Sequence, residues 1–448
     1  MIELISLFFS QPSDSLLLAQ NNPPAIIKEE NNTIRPLTGK LNQIPVFNSN
    51  SPELVVGEGI LLSTFSPDNK NTPTAHLNYP LQGRFDIFAH HVTKAIDEND
   101  QRTLYLGIIV HNPTNQTINI DILQGASYLS QPDAPFVKLP SIVESSNTYA
   151  GPGSRVMGDI LKGRRQDIFP SQITLQAGES KMLLNAPIPV QTLEPKINGR
   201  STYMRLFSDG EVYVASLAMY RDEENNPPTL SQWQELLNNG ELSSPRDLTP
   251  TPPEATGKRI YGRVAGVSIG NMWKTDLLDS SDSSILTIPP SGKAFSYGLS
   301  TLVGGTFGLN QLQTAPLAVR YPDTAYSAHG NYGVQYSLTL PLFNPSNESK
   351  TVNIALSTPL KQETPEINFF ETLPNQVFFR GLVQVKYNDE QNIPRWRYFH
   401  LVQNRGQRGE NLVTVTIPPQ GQKLVSVDFL YPPDATPPQI LTIETNDK

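Results

Sequence analysis

The chain has 448 residues, a net charge of −8 and no cysteine. Its length gives a prior of about two to three domains, and the absence of thiols excludes cysteine nucleophiles, Cys-ligated zinc, iron–sulfur clusters, disulfides and lipid attachment to an N-terminal Cys. Only 17% of residues are charged and 40 are proline, against a usual proline share of about 5%, a balance that suits short strands joined by turns and lacks the clustered Lys and Arg of a nucleic-acid binder.

Residues 1–37 are expected to hold a signal peptide followed by a flexible linker. Leu4–Phe9 and Leu16–Leu18 are apolar, and Ala19 is the small residue before a cut at Gln20. Glu3 stands where a leader carries Lys or Arg, so the true start is expected upstream of Met1. No other stretch approaches the roughly 18 consecutive apolar residues of a membrane span, so no transmembrane segment is expected in the mature chain.

Two halves of similar strand chemistry follow. Leu104–Leu123 reads as strand, Asn112-Pro113-Thr114 turn, strand. Tyr336–Leu356 reads as strand, Asn344-Pro345-Ser346 turn, strand. Ile118, Ile120 and Ile122 alternate with polar residues, as do Val352, Ile354 and Leu356, the period of a half-buried strand. Ile173–Leu184 and Val415–Val427 form a further matching pair, each a strand, a Gly turn and a strand. Between the halves, Asn225-Asn226-Pro227-Pro228 and the Pro cluster ending at Pro253 bound the best helix pattern. Thr229 is placed to cap a helix over 230–239, Gln232 completes the box, and Gly240 follows its end. The pattern predicts an all-β protein: two tandem β-sandwich domains, Ig-like or jelly-roll-like, over 38–222 and 259–448. A Pro-rich linker over 223–258 with one short helix joins them.

Several of these stretches carry a resemblance. IPVFNSNSPELV (Ile44–Val55), GILLSTFSPD (Gly59–Asp68), LQGRFDIFAHHV (Leu81–Val92) and LYLGIIVHNPT (Leu104–Thr114) are among them. So are SYLSQPDAPF (Ser127–Phe136), YAGPGSR (Tyr149–Arg155), RYPDTAYSAHGNYG (Arg320–Gly333) and DFLYPPDATPP (Asp428–Pro438). The chain resembles the cyanobacterial domain-of-unknown-function family 3370 from about Pro36 to Thr442. The resemblance implies a secreted or cell-envelope protein, periplasmic or extracellular, and no assigned activity to carry over.

Chemistry-bearing patterns are sparse. His90 and His91 are adjacent and point to opposite faces of a strand, so they cannot share a metal. His76 and His329 occupy matching places in the halves, which favours a structural role over a catalytic one. His111 and His400 complete the set. Asp97, Glu98 and Asp100 form the one candidate calcium loop, with a solvated turn as the commoner reading; no other cofactor is expected. Gly151-Pro152-Gly153-Ser154-Arg155 lacks the Lys-Ser/Thr of a phosphate loop and reads as a tight turn. Lys162, Arg164 and Arg165 precede one strand pair, and Arg405 and Arg408 precede its counterpart. They are candidate contacts for a polyanion, or else braces within the fold. Trp233, Trp273, Trp396 and the sixteen Tyr read as core. The expected function is a non-enzymatic binding or structural role in the cell envelope, with an envelope polysaccharide or another envelope protein as partner. The alternative is a carbohydrate-active enzyme or glycan-binding protein using a cleft between the sandwiches, where an enzyme would need paired carboxylates.

Overall fold

In the computed structural model, which describes residues 25–222 and 226–447, strands dominate. The α-helices among them are Pro152–Leu161 (α1) and Leu230–Asn239 (α2). The fold is all-β. The expected signal peptide lies outside the described residues.

The alternation read from the sequence decides which side chains are inside. Val383, Val385, Val425, Val427 and Phe429 of a seven-stranded sheet share a core with Val352, Ile354, Leu441 and Ile443 of a five-stranded sheet. Residues between them in sequence point outward, as the strand period demands. A second core is enclosed by an 11-stranded sheet and includes Phe85, Ile87, Leu106, Ile108, Ile120, Met204 and Val214. The strand Ile197–Arg221 carries this sheet around its core. Its first part pairs with Leu81–Lys94 and Ile118–Leu129, and its second with Thr103–His111 and Gly59–Ser63. A register shift between Ser208 and Val212 separates the two parts.

The matching turns are built alike to the level of single bonds. Asn112 Nδ2 donates to the carbonyls of Gln116, Leu175 and Gln176, while its Oδ1 accepts from the backbone N–H and hydroxyl of Thr114. Asn344 Nδ2 donates to the carbonyls of Glu348, Ile417 and Pro418, and its Oδ1 accepts from the N–H and hydroxyl of Ser346. Each buried amide thus ties its turn to the strand ahead of the matching Gly turn. Proline after each Asn removes an N–H that the turn would leave unpaired.

Pairing crosses the boundary expected at 222–259 in both directions. Ala265–Ile269 pairs with Pro45–Ser49 and with Ala315–Arg320, placing both later strands in the 11-stranded sheet. Ile142–Glu144 instead pairs with Pro394–Asn404 in the seven-stranded sheet. Residues 25–37, expected as linker, supply two short strands: Ile26–Lys28 pairs with Asn368–Phe370, and Asn32–Arg35 pairs parallel to Ala294–Leu299. Leu37 is fully inside the core that follows.

α2 forms where its caps predict. Thr229 accepts from the Gln232 N–H, Gln232 reaches back to the Thr229 N–H, and Gly240 closes the end. Its buried face is Trp233 and Leu237, packed on Ile60, Tyr105 and Leu217. A Cβ on Gly107 would meet the Trp233 ring at 2.8 Å, so glycine is what lets the indole lie on the sheet. α1 replaces the tight turn expected at 151–155. Pro152 stands in the first turn, where a missing N–H costs nothing, and Val156, Met157 and Ile160 bury one face.

Candidate functional site

Several of the strings that carry the family resemblance meet where the halves join. From Leu81–Lys94, Asp86 is fully buried, and its Oδ2 accepts from the Tyr203 hydroxyl at 2.7 Å and from Asn271 Nδ2 at 2.6 Å. Arg205 lies 3.8 Å away, bonded in turn to Gln124 and Gln335. Burial pushes the Asp86 carboxyl up, against the pull of Arg205. A buried carboxylate without such partners would be prohibitively costly, so these four residues act as a unit.

A second ionic group lies beside it. Glu53 is paired to Arg263, and His90 Nε2 stands 3.5 Å from its other oxygen. Burial opposes the Glu53 charge, but Arg263 and His90 outweigh it and hold the carboxyl below its usual range. Asp247 accepts from the Ser51 hydroxyl at 2.8 Å and faces Arg263 at 3.4 Å; burial pushes it up. Asp434 sits at the start of α1, where unpaired backbone N–H groups favour negative charge. A Cβ on Gly153 would come within 2.3 Å of Pro433 Cγ and 2.7 Å of Asp434 Oδ2. That contact explains the second glycine of Gly151-Pro152-Gly153: it lets the helix start rest on the 433–434 segment.

The sequence-nominated residues have these places. Asp100 is held by Arg102 through both oxygens and is kept well below the usual carboxylate range by that bond. Asp97 accepts from the Asn99 N–H, and Glu98 faces Lys196 at 3.3 Å. Among the described residues no group of three His, Cys, Asp or Glu converges as a metal site. Lys162 and Arg164 both bind Asp159, at 3.2 and 3.1 Å, and Arg165 donates to the Phe169 carbonyl at 2.8 Å. Arg408 pairs with Glu29 and Glu444, and Arg405 lies over the rings of Phe370 and Phe378. Each of the five therefore has an internal partner.

His91 is held at both ring nitrogens, its Nε2 by the Ser49 hydroxyl at 2.9 Å. His76 Nδ1 meets the Ser63 hydroxyl at 2.8 Å, His91 Nδ1 the Pro52 carbonyl at 2.9 Å, and His111 Nδ1 the Ser180 hydroxyl at 3.0 Å. His329 lies against the Tyr261 ring. Burial holds His76, His91, His329 and His400 down at about 4.

The tryptophans divide. Trp233 and Trp273 are core, but Trp396 is 70% exposed. It stands on the outward face of the seven-stranded sheet beside Lys386, with Gln384, Tyr398 and Asp428 one pair further along. Nothing in the PRWRY sequence distinguishes an outward indole from an inward one, because both alternate strand positions there are polar or aromatic. Asp86 was more legible: it interrupts the apolar run FDIFA, where only a partnered charge can be buried.

Residues 32–445 match the model of the family described as protein of unknown function (DUF3370), and the chain belongs to that family. No curated protein matches it. Among solved structures it is similar to Bacillus subtilis oxalate decarboxylase, at 9% identity over 94% of this chain and 80% of that one, with a TM-score of 0.10. It is also similar to procruciferin, an 11S globulin from Brassica napus, at 11% identity over 91% and 85%, with a TM-score of 0.11. At TM-scores this low the likeness assigns neither fold nor function.

Proposed function

We propose that the chain is an exported, non-catalytic protein of the cell envelope, built from two β-sandwich units, that binds or organises a polymer or another protein there. The observation that carries this reading is the state of the carboxylates at the joint. A glycoside hydrolase needs two carboxyl groups about 5–10 Å apart with substrate and water between them. Here Glu53, Asp86 and Asp247 are engaged by Arg263, Tyr203, Asn271 and Ser51, and Asp434 faces the start of α1. Groups so engaged serve to lock two halves together, which suits a rigid scaffold. The apolar stretches Leu4–Phe9 and Leu16–Leu18, with the small Ala19 after them, favour export.

Mass spectrometry of the mature N-terminus in the native host, combined with cell fractionation, tests the location. A chain beginning near Gln20 in the periplasmic or surface fraction is expected. An intact Met1 in the cytosol overturns the export claim.

A further inference from the structure

The two sheets around the second half's core turn different faces outward. Val352, Ile354, Leu441 and Ile443 of the five-stranded sheet point inward, so Asn353, Ala355, Thr442 and Glu444 point out, beside Ser296 and Thr414. That face is small and polar, as suits a sheet with one side in water. On the seven-stranded sheet, Val385, Val425, Val427, Leu338, Leu340 and Leu342 are core. Lys386, Leu424, Ser426, Thr339, Pro341 and Phe343 therefore point away from it. α1 covers this face at one end, where Leu430 packs with Val156 and Ile160. Beyond the helix the face is open across five strands. It carries Trp396 at 70% exposure and Leu424 at 58%, with Ile393 at 49% in the adjoining turn. Pro341 and Phe343, half-buried, extend the apolar surface.

Large apolar groups gathered on one exposed face mark an interaction surface, and the charges around them select the partner. Lys274 and Lys386 on this face are matched by Asp276 and Asp428, so it carries no net charge on a chain of −8. A polyanion finds no excess of cations there. The turn beside Trp396 carries Asp389 and Glu390, which an anionic lipid surface would repel. A second copy of this chain meets neither obstacle. Lys386, Ser426, Thr339 and Asp276 lie in one row across four neighbouring strands. Consider a twofold axis lying along the strands, between Gln422–Leu430 and Gln335–Phe343. To within the roughly 30° at which aligned sheets cross, it brings Lys386 of one copy opposite Asp276 of the other. The same axis sets Leu424 against Pro341, its neighbour in register, and leaves the two Trp396 rings to close the ends of the contact.

We propose that the outward face of the seven-stranded sheet, centred on Trp396, Leu424, Lys386 and Asp276, is the contact surface of a homodimer. Strands about 4.8 Å apart and alternate residues about 6.8 Å apart give a patch of about 24 by 20 Å. Two copies then bury about 1,000 Å², the low end of specific interfaces, so monomer and dimer exchange reversibly. The contact does not depend on the envelope role proposed above.

The test is sedimentation velocity of the full chain over about 1–100 µM, the range in which a reversible contact of that size forms. The sedimenting species should pass from monomer to dimer as concentration rises. Trp233 and Trp273 are buried, so the solvent-quenchable emission reports Trp396 and should become protected over the same range. Leu424→Lys and Trp396→Ser should each weaken association about tenfold or more. Asp276→Lys, which sets two cations opposite each other, should weaken it as well. All three positions are exposed, so the variants should fold like the parent, which unchanged circular dichroism and urea midpoints will verify. A parent that stays monomeric throughout overturns the dimer, and protection of its Trp396 by phosphatidylglycerol vesicles would then assign the face to lipid. Dimerisation undiminished in Leu424→Lys and Trp396→Ser, or a dimer whose Trp396 stays fully quenchable, places the contact elsewhere and overturns this face.

Discussion

Asn112→Ala and Asn344→Ala form a matched pair that tests how the two halves are held. Each amide has two N–H protons shared among three carbonyls and an oxygen accepting two further bonds. At a net value of about 1 kcal/mol per bond, with carbonyls left short of a donor in a buried site, each substitution should cost about 3 kcal/mol, within a range of about 2–5. The equal bond sets predict equal costs. Because strands cross the 222–259 boundary in both directions, both variants should shift one shared unfolding transition. Urea unfolding followed by far-UV circular dichroism and by tryptophan fluorescence checks this, with coincident curves expected for parent and variants. A cost below about 1 kcal/mol in either variant would refute the assignment of these amides as knots. Two separated transitions, each sensitive to only one Asn, would refute the coupling of the halves.

Trp233→Ala should cost about 3–5 kcal/mol by opening a cavity between α2 and the sheet, measured by the same urea titration. Asp86→Asn keeps an acceptor for Tyr203 and Asn271 and should lie within about 1 kcal/mol of the parent at neutral pH, whereas Asp86→Ala strands both donors and should cost about 2–4 kcal/mol. Burial holds His76, His91, His329 and His400 near 4 against an ordinary 6.5. The folded chain therefore binds fewer protons than the unfolded chain between those values. Stability should be full above about pH 6.5 and fall as the pH drops towards 4, by up to about 3 kcal/mol per histidine, as read from urea midpoints across that window. Replacing Arg164, Arg165, Arg405 and Arg408 together by Gln should lower the unfolding midpoint while leaving retention on native envelope polysaccharide at low salt unchanged, since each has a partner within the fold.

The all-β class, the alternation of core positions, the paired Asn-Pro turns and the capped helix at 230–239 were all legible in the sequence. Each rests on local rules: side chains alternate along strands, Asn and Pro suit turns, and Thr with Gln at three residues' remove satisfies the first N–H groups of a helix. What the sequence left open is decided by contacts between distant residues. α1 escaped notice because Gly-Pro-Gly signals a turn locally; only the Pro433–Asp434 segment, far along the chain, makes those glycines a close-packed helix start. The assignment of Ala265–Ile269 to the sheet of Pro45–Ser49 follows from edge pairing, which leaves no local mark. Trp396 shows the same limit at the candidate site. Its strand was readable, but whether its indole faced core or solvent depended on register with Val377–Asn388 and on where α1 stops covering the sheet. Register and coverage are properties of the assembled fold, and a shift of one residue would have exchanged the two faces.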